Sequence, residues 1–139
     1  MVDACICGVG SAGHCAPPIN SSPRRLQRTR KRANYCPSGS VYVGRPTLWA
    51  NPFSGRYAIG HARSVILYGQ WLAGNVSDYV LRCAHFSRAE AEALNRWRER
   101  VVTNLPSLRG FDLQCWCPLT SAWCHADVLL RRTNQCFSQ

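Results

Sequence analysis

Apolar residues follow strand and helix spacing mainly in the part of the chain after residue 40. The run VYVGR at residues 41–45 is β-branched and aromatic, and a glycine and a proline end it, so it predicts a short buried strand. Val65 and Leu72 lie at helical intervals and predict a helix over residues 62–73.

A second helix is marked at both ends. Ser87 and Glu90 have the spacing of a capping box, in which each side chain accepts a hydrogen bond from a backbone amide at the helix start. An apolar stripe follows and stops at a proline: Leu94, Trp97, Val101, Leu105 and Pro106. The pattern predicts a long amphipathic helix that ends near this proline.

The last elements are a strand and a helix. In the run DLQCWC at residues 112–117, the two-residue period of a strand puts Cys115 and Cys117 on one face. A helix is predicted to start near Cys124, because Asp127 then falls in its first turn and two arginines fall in its last turn. The fold class predicted is a small single α/β domain with a short, mostly parallel sheet flanked by helices.

Residues 1–40 are rich in Gly, Pro, Ser and Arg and show no periodicity, so they predict a flexible Cys/Arg-rich arm before an α/β domain at 41–139. The run RRLQRTRKR concentrates positive charge and predicts contact with nucleic acid, with a solvated linker as the alternative. The predicted nucleic-acid-binding residues are Arg24, Arg25, Arg28, Arg30, Lys31 and Arg32.

Composition indicates the number of domains and the cellular compartment. Its 139 residues are 46% hydrophobic, enough for the core of one domain, and its formal net charge is +10. The sequence shows neither a long apolar span nor a signal peptide, so we expect a cytoplasmic protein without membrane contact, or a nuclear one if the basic run acts as an import signal. Nine cysteines in a reducing compartment favour metal ligands, reactive thiols or core packing over disulfides.

The stretch CWCPLTSAWCH concentrates the candidate chemistry. One hypothesis is a zinc site with Cys115, Cys117, Cys124 and His125 as ligands. Another is a reactive thiol at Cys124, activated by the helix amino terminus and by His125, with Asp127 as a further catalytic residue. The alternative to both is that the cysteines are small core residues.

The amino terminus has a similar spacing in CICGVGSAGHC. Cys5, Cys7, His14 and Cys15 are offset from one another as Cys115, Cys117, Cys124 and His125 are. The segment is therefore a candidate for a second metal site, although chance coincidence in a cysteine-rich chain is the alternative.

Arg45 leaves the first strand and is a candidate for binding an anion. If the strands at 41–45 and 112–117 are parallel neighbours, Arg45 and Cys117 emerge at the same edge of the sheet. Trp49 and Asn51 could form the wall of a base-binding pocket, since aromatic rings stack on bases and amides read their edges. The alternative is a turn that its aromatic residues anchor to the core.

The blocks VYVGRPTLWANPF, LRGFDLQCWCP and CHADVLL together resemble an uncharacterised family, domain of unknown function 4326, over roughly residues 41–133. The resemblance carries no established activity. Ala50 stands where members usually have glycine, and Phe111 stands where they usually have a polar residue.

The leading hypothesis is a nucleotide or nucleic-acid related pocket at the carboxyl edge of the sheet, with Cys/His or metal-assisted chemistry. The rival is a zinc-stabilised nucleic-acid-binding accessory protein of phage or viral type, in which the cysteines are structural and the basic arm binds.

Overall fold

A computed structural model describes residues 22–32 and 35–135. The strands are β1 (Arg25–Gln27), β2 (Ser40–Tyr42) and β3 (Asp112–Cys115). The helices are α1 (His61–Leu72), α2 (Asp78–Cys83), α3 (Arg88–Asn104) and α4 (His125–Asn134). Short 3₁₀ helices lie at Arg30–Arg32 and Leu105–Leu108. The predicted fold class, a small α/β domain, is confirmed.

The three strands form a parallel sheet in the order β1-β3-β2. Gln27 pairs with Cys115 on one side of β3, and Tyr42 pairs with Gln114 on the other. The predicted parallel pairing of β2 and β3 is therefore confirmed. All three strands end at the same edge of the sheet, which is where open α/β sheets usually carry their functional sites.

β1 corrects the predicted boundary of the domain. Residues 25–27 were expected to belong to a flexible arm, but they pair with β3 along their whole length. The 3₁₀ helix at Arg30–Arg32 follows directly. The folded domain therefore includes part of the basic run, since β1 begins at residue 25 and the predicted start is residue 41.

The helices pack around a core that includes Tyr68 of α1, Val101 of α3 and Leu129 of α4, all fully buried. Phe53 packs edge-on against the rings of Trp71 and Phe86, at centroid distances of 6.1 and 5.8 Å. These aromatic contacts fix the loop between β2 and α1 against the helices.

α3 begins as its capping box predicts. The Ser87 hydroxyl accepts from the Glu90 amide, and the Glu90 carboxylate accepts from the Ser87 amide. α2 was not predicted, although Ser77 caps it by accepting from the Val80 amide. No helix in the described part of the chain is long and apolar enough to cross a membrane.

Candidate functional site

Three thiols meet at the carboxyl edge of the sheet. β3 ends at Cys115, Cys117 lies two residues further, and Cys124 is the N-cap residue of α4. Their Sγ atoms all lie within 4.8 Å of one another, and those of Cys115 and Cys124 are 3.0 Å apart. We call these three residues the thiol cluster.

Burial differs within the thiol cluster. Cys115 and Cys124 are each 1% exposed, because β3 is the central strand and α4 packs over its end. Cys117 lies past the end of the strand and is partly exposed. The cluster is therefore sealed on one side and accessible beside Cys117.

The electrostatics of the cluster favour one thiolate. A hydrogen bond from Cys115 lowers the pKa of Cys124 to about 3, against the effect of burial, and the His125 side chain and the Ala126 amide lower it further. The same hydrogen bond raises the pKa of Cys115, and burial raises the pKa of Cys117. The negative charge is thus held at the amino terminus of α4, where the helix dipole stabilises it.

The thiol cluster could hold a metal ion. Thiolates bind zinc at about 2.3 Å, so sulfurs around one tetrahedral ion are about 3.8 Å apart. The sulfurs of Cys115 and Cys124 are 3.0 Å apart and no pair in the cluster is separated by more than 4.8 Å, so small shifts would bring the three thiols to that spacing. Within residues 22–32 and 35–135, no His, Asp or Glu joins the three cysteines as a fourth ligand.

The His125 side chain is hydrogen-bonded to the backbone outside the thiol cluster, although the sequence predicted it as the fourth metal ligand. Its Nε2 donates to the carbonyl of Val43 at 2.9 Å, and its ring packs edge-on against Tyr68 at 5.4 Å. With Nε2 committed to Val43, Nδ1 is the ring nitrogen left for other partners. His125 is thus a fixed neighbour of the cluster and is not part of its ligand set.

A cavity of about 290 Å³ opens beside the cluster. Its lining combines residues from the loop after β2, from the start of α1, and from the ends of β3 and the start of α4: Tyr42, Gly44, Arg45, Asn51, Ser54, His61, Val65, Cys115, Trp116, Cys117 and His125. Five residues that the sequence indicated on chemical grounds, Arg45, Asn51, Cys115, Cys117 and His125, therefore share one cavity.

Arg45 is exposed at this cavity. One of its nitrogens, Nη2, donates to the carbonyl of Ser54 at 2.6 Å, which fixes the position of the guanidinium. A guanidinium has five N–H donors, so this bond leaves donors for an anion.

Trp49 and Asn51 serve the fold more than the cavity. The Trp49 side chain is buried in the core, and its carbonyl accepts from the Tyr68 hydroxyl at 2.7 Å. Asn51 reaches the cavity wall, but its amide donates to the carbonyl of Ser64 and accepts from the amide of Phe53. The Trp49 ring is buried and is not part of the lining of this cavity, so the structure does not place it where a base in the cavity would stack.

Asp127 was predicted to be catalytic, but it lies outside this cavity. Its carboxylate is 3.4 Å from Nε of Arg25, and it lines a second cavity of about 290 Å³ together with Cys124. Burial raises the pKa of Asp127, while the positive charge of Arg25 opposes that rise.

Arg25 was predicted to bind nucleic acid, but its side chain is only 9% exposed. Its guanidinium donates to the carbonyls of Pro118, Leu119 and Ser121, in the loop between Cys117 and Cys124. Arg25 therefore braces the loop that brings the cysteines together, and the sequence analysis missed this role.

The other basic residues of the run lie at the surface. Arg24, Arg30, Lys31 and Arg32 are exposed. Arg28 is partly buried, with its guanidinium 3.9 Å from the centre of the Tyr42 ring. The candidate metal site at Cys5, Cys7, His14 and Cys15 lies outside the residues that the structure describes.

The fold and the site define a small α/β domain with a thiol cluster beside a cavity at the carboxyl edge of a parallel sheet. The family model described as domain of unknown function (DUF4326) matches residues 26–135, so the chain belongs to that family. The match starts at β1, earlier than the sequence motifs indicated. No curated protein and no solved structure gives a significant match.

Proposed function

We propose that this domain is a zinc-assisted enzyme that acts on a nucleotide or a similar anion held in the cavity. The observation that carries the proposal is that three thiols lie within 4.8 Å of one another and two of them, Cys115 and Cys117, border a cavity that His125 and Arg45 also line. Three protein ligands and an open fourth position are typical of catalytic zinc, whereas four protein ligands are typical of structural zinc.

The burial of Cys124 supports a metal ligand over a free nucleophile. Cys124 is 1% exposed and lines the second cavity, not the main one, so a ligand held by Arg45 has no direct path to its sulfur. A zinc ion held by the cluster would supply a Lewis acid on the accessible side, beside Cys117.

Arg45 and His125 have separate roles in the proposed reaction. Arg45 contacts the anionic group of the ligand through its remaining donors. His125 accepts or releases a proton at Nδ1, because its Nε2–H is committed to Val43. A cavity of about 290 Å³ suits a ligand of mononucleotide size.

Metal analysis of protein purified without chelator tests the zinc site. We expect about one zinc per chain, lost in Cys115→Ser and in Cys124→Ser. Cys83→Ser is the matched control, because Cys83 is exposed on α2. His125→Ala should keep the metal. Metal-free wild-type protein with all three thiols reduced would contradict the proposal.

Calorimetric titration with the four nucleoside 5′-monophosphates tests the cavity. Arg45→Ala should weaken binding about tenfold or more, as expected for loss of a charge-assisted contact. Arg63→Ala, on the exposed face of α1, is the control for charge. Equal binding by Arg45→Ala, or no binding by wild type, would refute the assignment.

A second candidate is a nucleic-acid-binding accessory protein whose zinc is structural. It is supported by the exposure of Arg24, Arg30, Lys31 and Arg32 beside the sheet. A closed metal site with four protein ligands would favour this candidate over the enzyme.

A further inference from the structure

Two aromatic side chains, Tyr42 and Trp116, stand together at the cavity. Trp116 is 45% exposed, and its indole N–H donates to the Tyr42 hydroxyl at 3.0 Å. That hydroxyl donates to the carbonyl of Arg45 at 2.8 Å. Gly44 makes room for the Tyr42 ring, since a Cβ there would lie 2.7 Å from ring carbon Cζ. Both rings are therefore held in place without being buried.

Arg28 adds positive charge to this aromatic pair. Its guanidinium carbon is 3.9 Å from the centre of the Tyr42 ring and 5.9 Å from that of Trp116. Its Nε is buried and has no hydrogen-bond partner in the part of the chain described. The backbone amide of Arg28 donates to the carbonyl of Cys115 at 2.7 Å, which ties the cation to the end of β3.

More cations follow along the chain from Arg28. The 3₁₀ helix Arg30–Arg32 consists of three basic residues, and all three are exposed. An exposed indole beside a row of cations is the combination that binds single strands, because unpaired bases offer stacking faces and phosphates offer negative charge. A duplex keeps its base faces stacked inside and cannot use the indole in this way.

We propose that the surface formed by Arg28, Tyr42 and Trp116 binds single-stranded nucleic acid, with one unpaired base stacked on the Trp116 indole. The phosphates contact Arg28 and the cations of residues 30–32. This inference rests on the proposed function in one respect, because it takes the nucleotide bound in the cavity to be one residue of the bound single strand.

Fluorescence anisotropy of the full chain tests the surface with labelled twelve-nucleotide oligothymidylate and oligouridylate and with a duplex of the same length. Wild type should bind the single strands more tightly than the duplex. Trp116→Ala should weaken single-strand binding about tenfold, while Trp116→Phe should keep most of it. The two labelled strands distinguish DNA from RNA as the preferred partner.

Trp123→Ala is the matched control. Trp123 belongs to the same loop and is 44% exposed, but it lines the second cavity.

Replacing residues 30–32 with alanine should reduce the slope of log affinity against log salt by about 2. Equal losses in Trp116→Ala and Trp123→Ala, or duplex binding as tight as single-strand binding, would overturn the inference. Mononucleotide binding that depends on Arg45 would survive that result, so failure of the surface is distinguishable from failure of the proposed function.

Discussion

The Sγ atom of Cys115 lies 3.0 Å from that of Cys124, although nine positions separate the two residues. Cys115 ends the central strand and Cys124 caps the helix that follows, so the contact closes the loop at residues 116–123 against the sheet. The close approach lowers the pKa of Cys124 at the amino terminus of α4, and the third thiol, Cys117, lines the cavity.

Arg25→Ala should loosen this loop and reduce zinc retention. Arg25 donates to three loop carbonyls and pairs with Asp127, so its loss should lower the free energy of unfolding by about 2 kcal/mol. Urea unfolding and metal content measure the two effects. Arg24→Ala is the control, because the Arg24 side chain is exposed. Equal effects of the two changes would argue against a bracing role for Arg25.

Two truncations separate the contribution of β1 to stability from that of the residues before it. Deletion of residues 1–21 leaves β1 in place, so we expect a cooperative thermal transition like that of the full chain. Deletion of residues 1–40 removes β1 and its pairing with β3, and should expose the buried face of Leu113. We expect that shorter protein to lose cooperative unfolding by circular dichroism. A stable fold at 41–139 would contradict the role given to β1.

Much of the fold was predictable from local signals. The capping box at Ser87 and the apolar stripe behind it predicted α3, and β-branched residues predicted β2. β1 was not predictable in this way, because the tripeptide RLQ has neither alternation nor strong β propensity. It becomes a strand only through pairing with β3, which lies far away in sequence.

The positions of the site residues were predictable where the course of the backbone alone decides which side chains lie close together. The run DLQCWC predicted that Cys115 and Cys117 lie together, and they do so although β3 ends at Cys115; the predicted helix start placed Cys124 beside them. The role of Arg25 depends on backbone carbonyls more than ninety positions away, which carry no residue-type signal. The His125 ring is likewise held by a backbone carbonyl, that of Val43, which carries no residue-type signal.

The Glu90 carboxylate should make stability depend on pH. Its hydrogen bond from the Ser87 amide and its contact with Arg56 lower its pKa below the ordinary value of 4.5. A carboxylate with a lowered pKa contributes stability above 4.5 and loses it as pH falls through the lowered value. Glu90→Ala should therefore be less stable than wild type at pH 6, by a difference that shrinks in acid.

Urea unfolding across this pH range checks the effect. Glu99→Ala, exposed on the same helix, is the control and should follow the wild-type profile. A constant difference between Glu90→Ala and wild type at all pH values would mean that ionisation of Glu90 does not contribute.

The proposal of an open zinc site is tested most directly by zinc K-edge X-ray absorption on the full chain. The account predicts three sulfur scatterers at about 2.3 Å and one nitrogen or oxygen scatterer at about 2.0 Å, with the sulfur count falling in Cys117→Ser. Four sulfurs around zinc would mean a closed, structural site. That result, or the absence of bound zinc, would contradict the account.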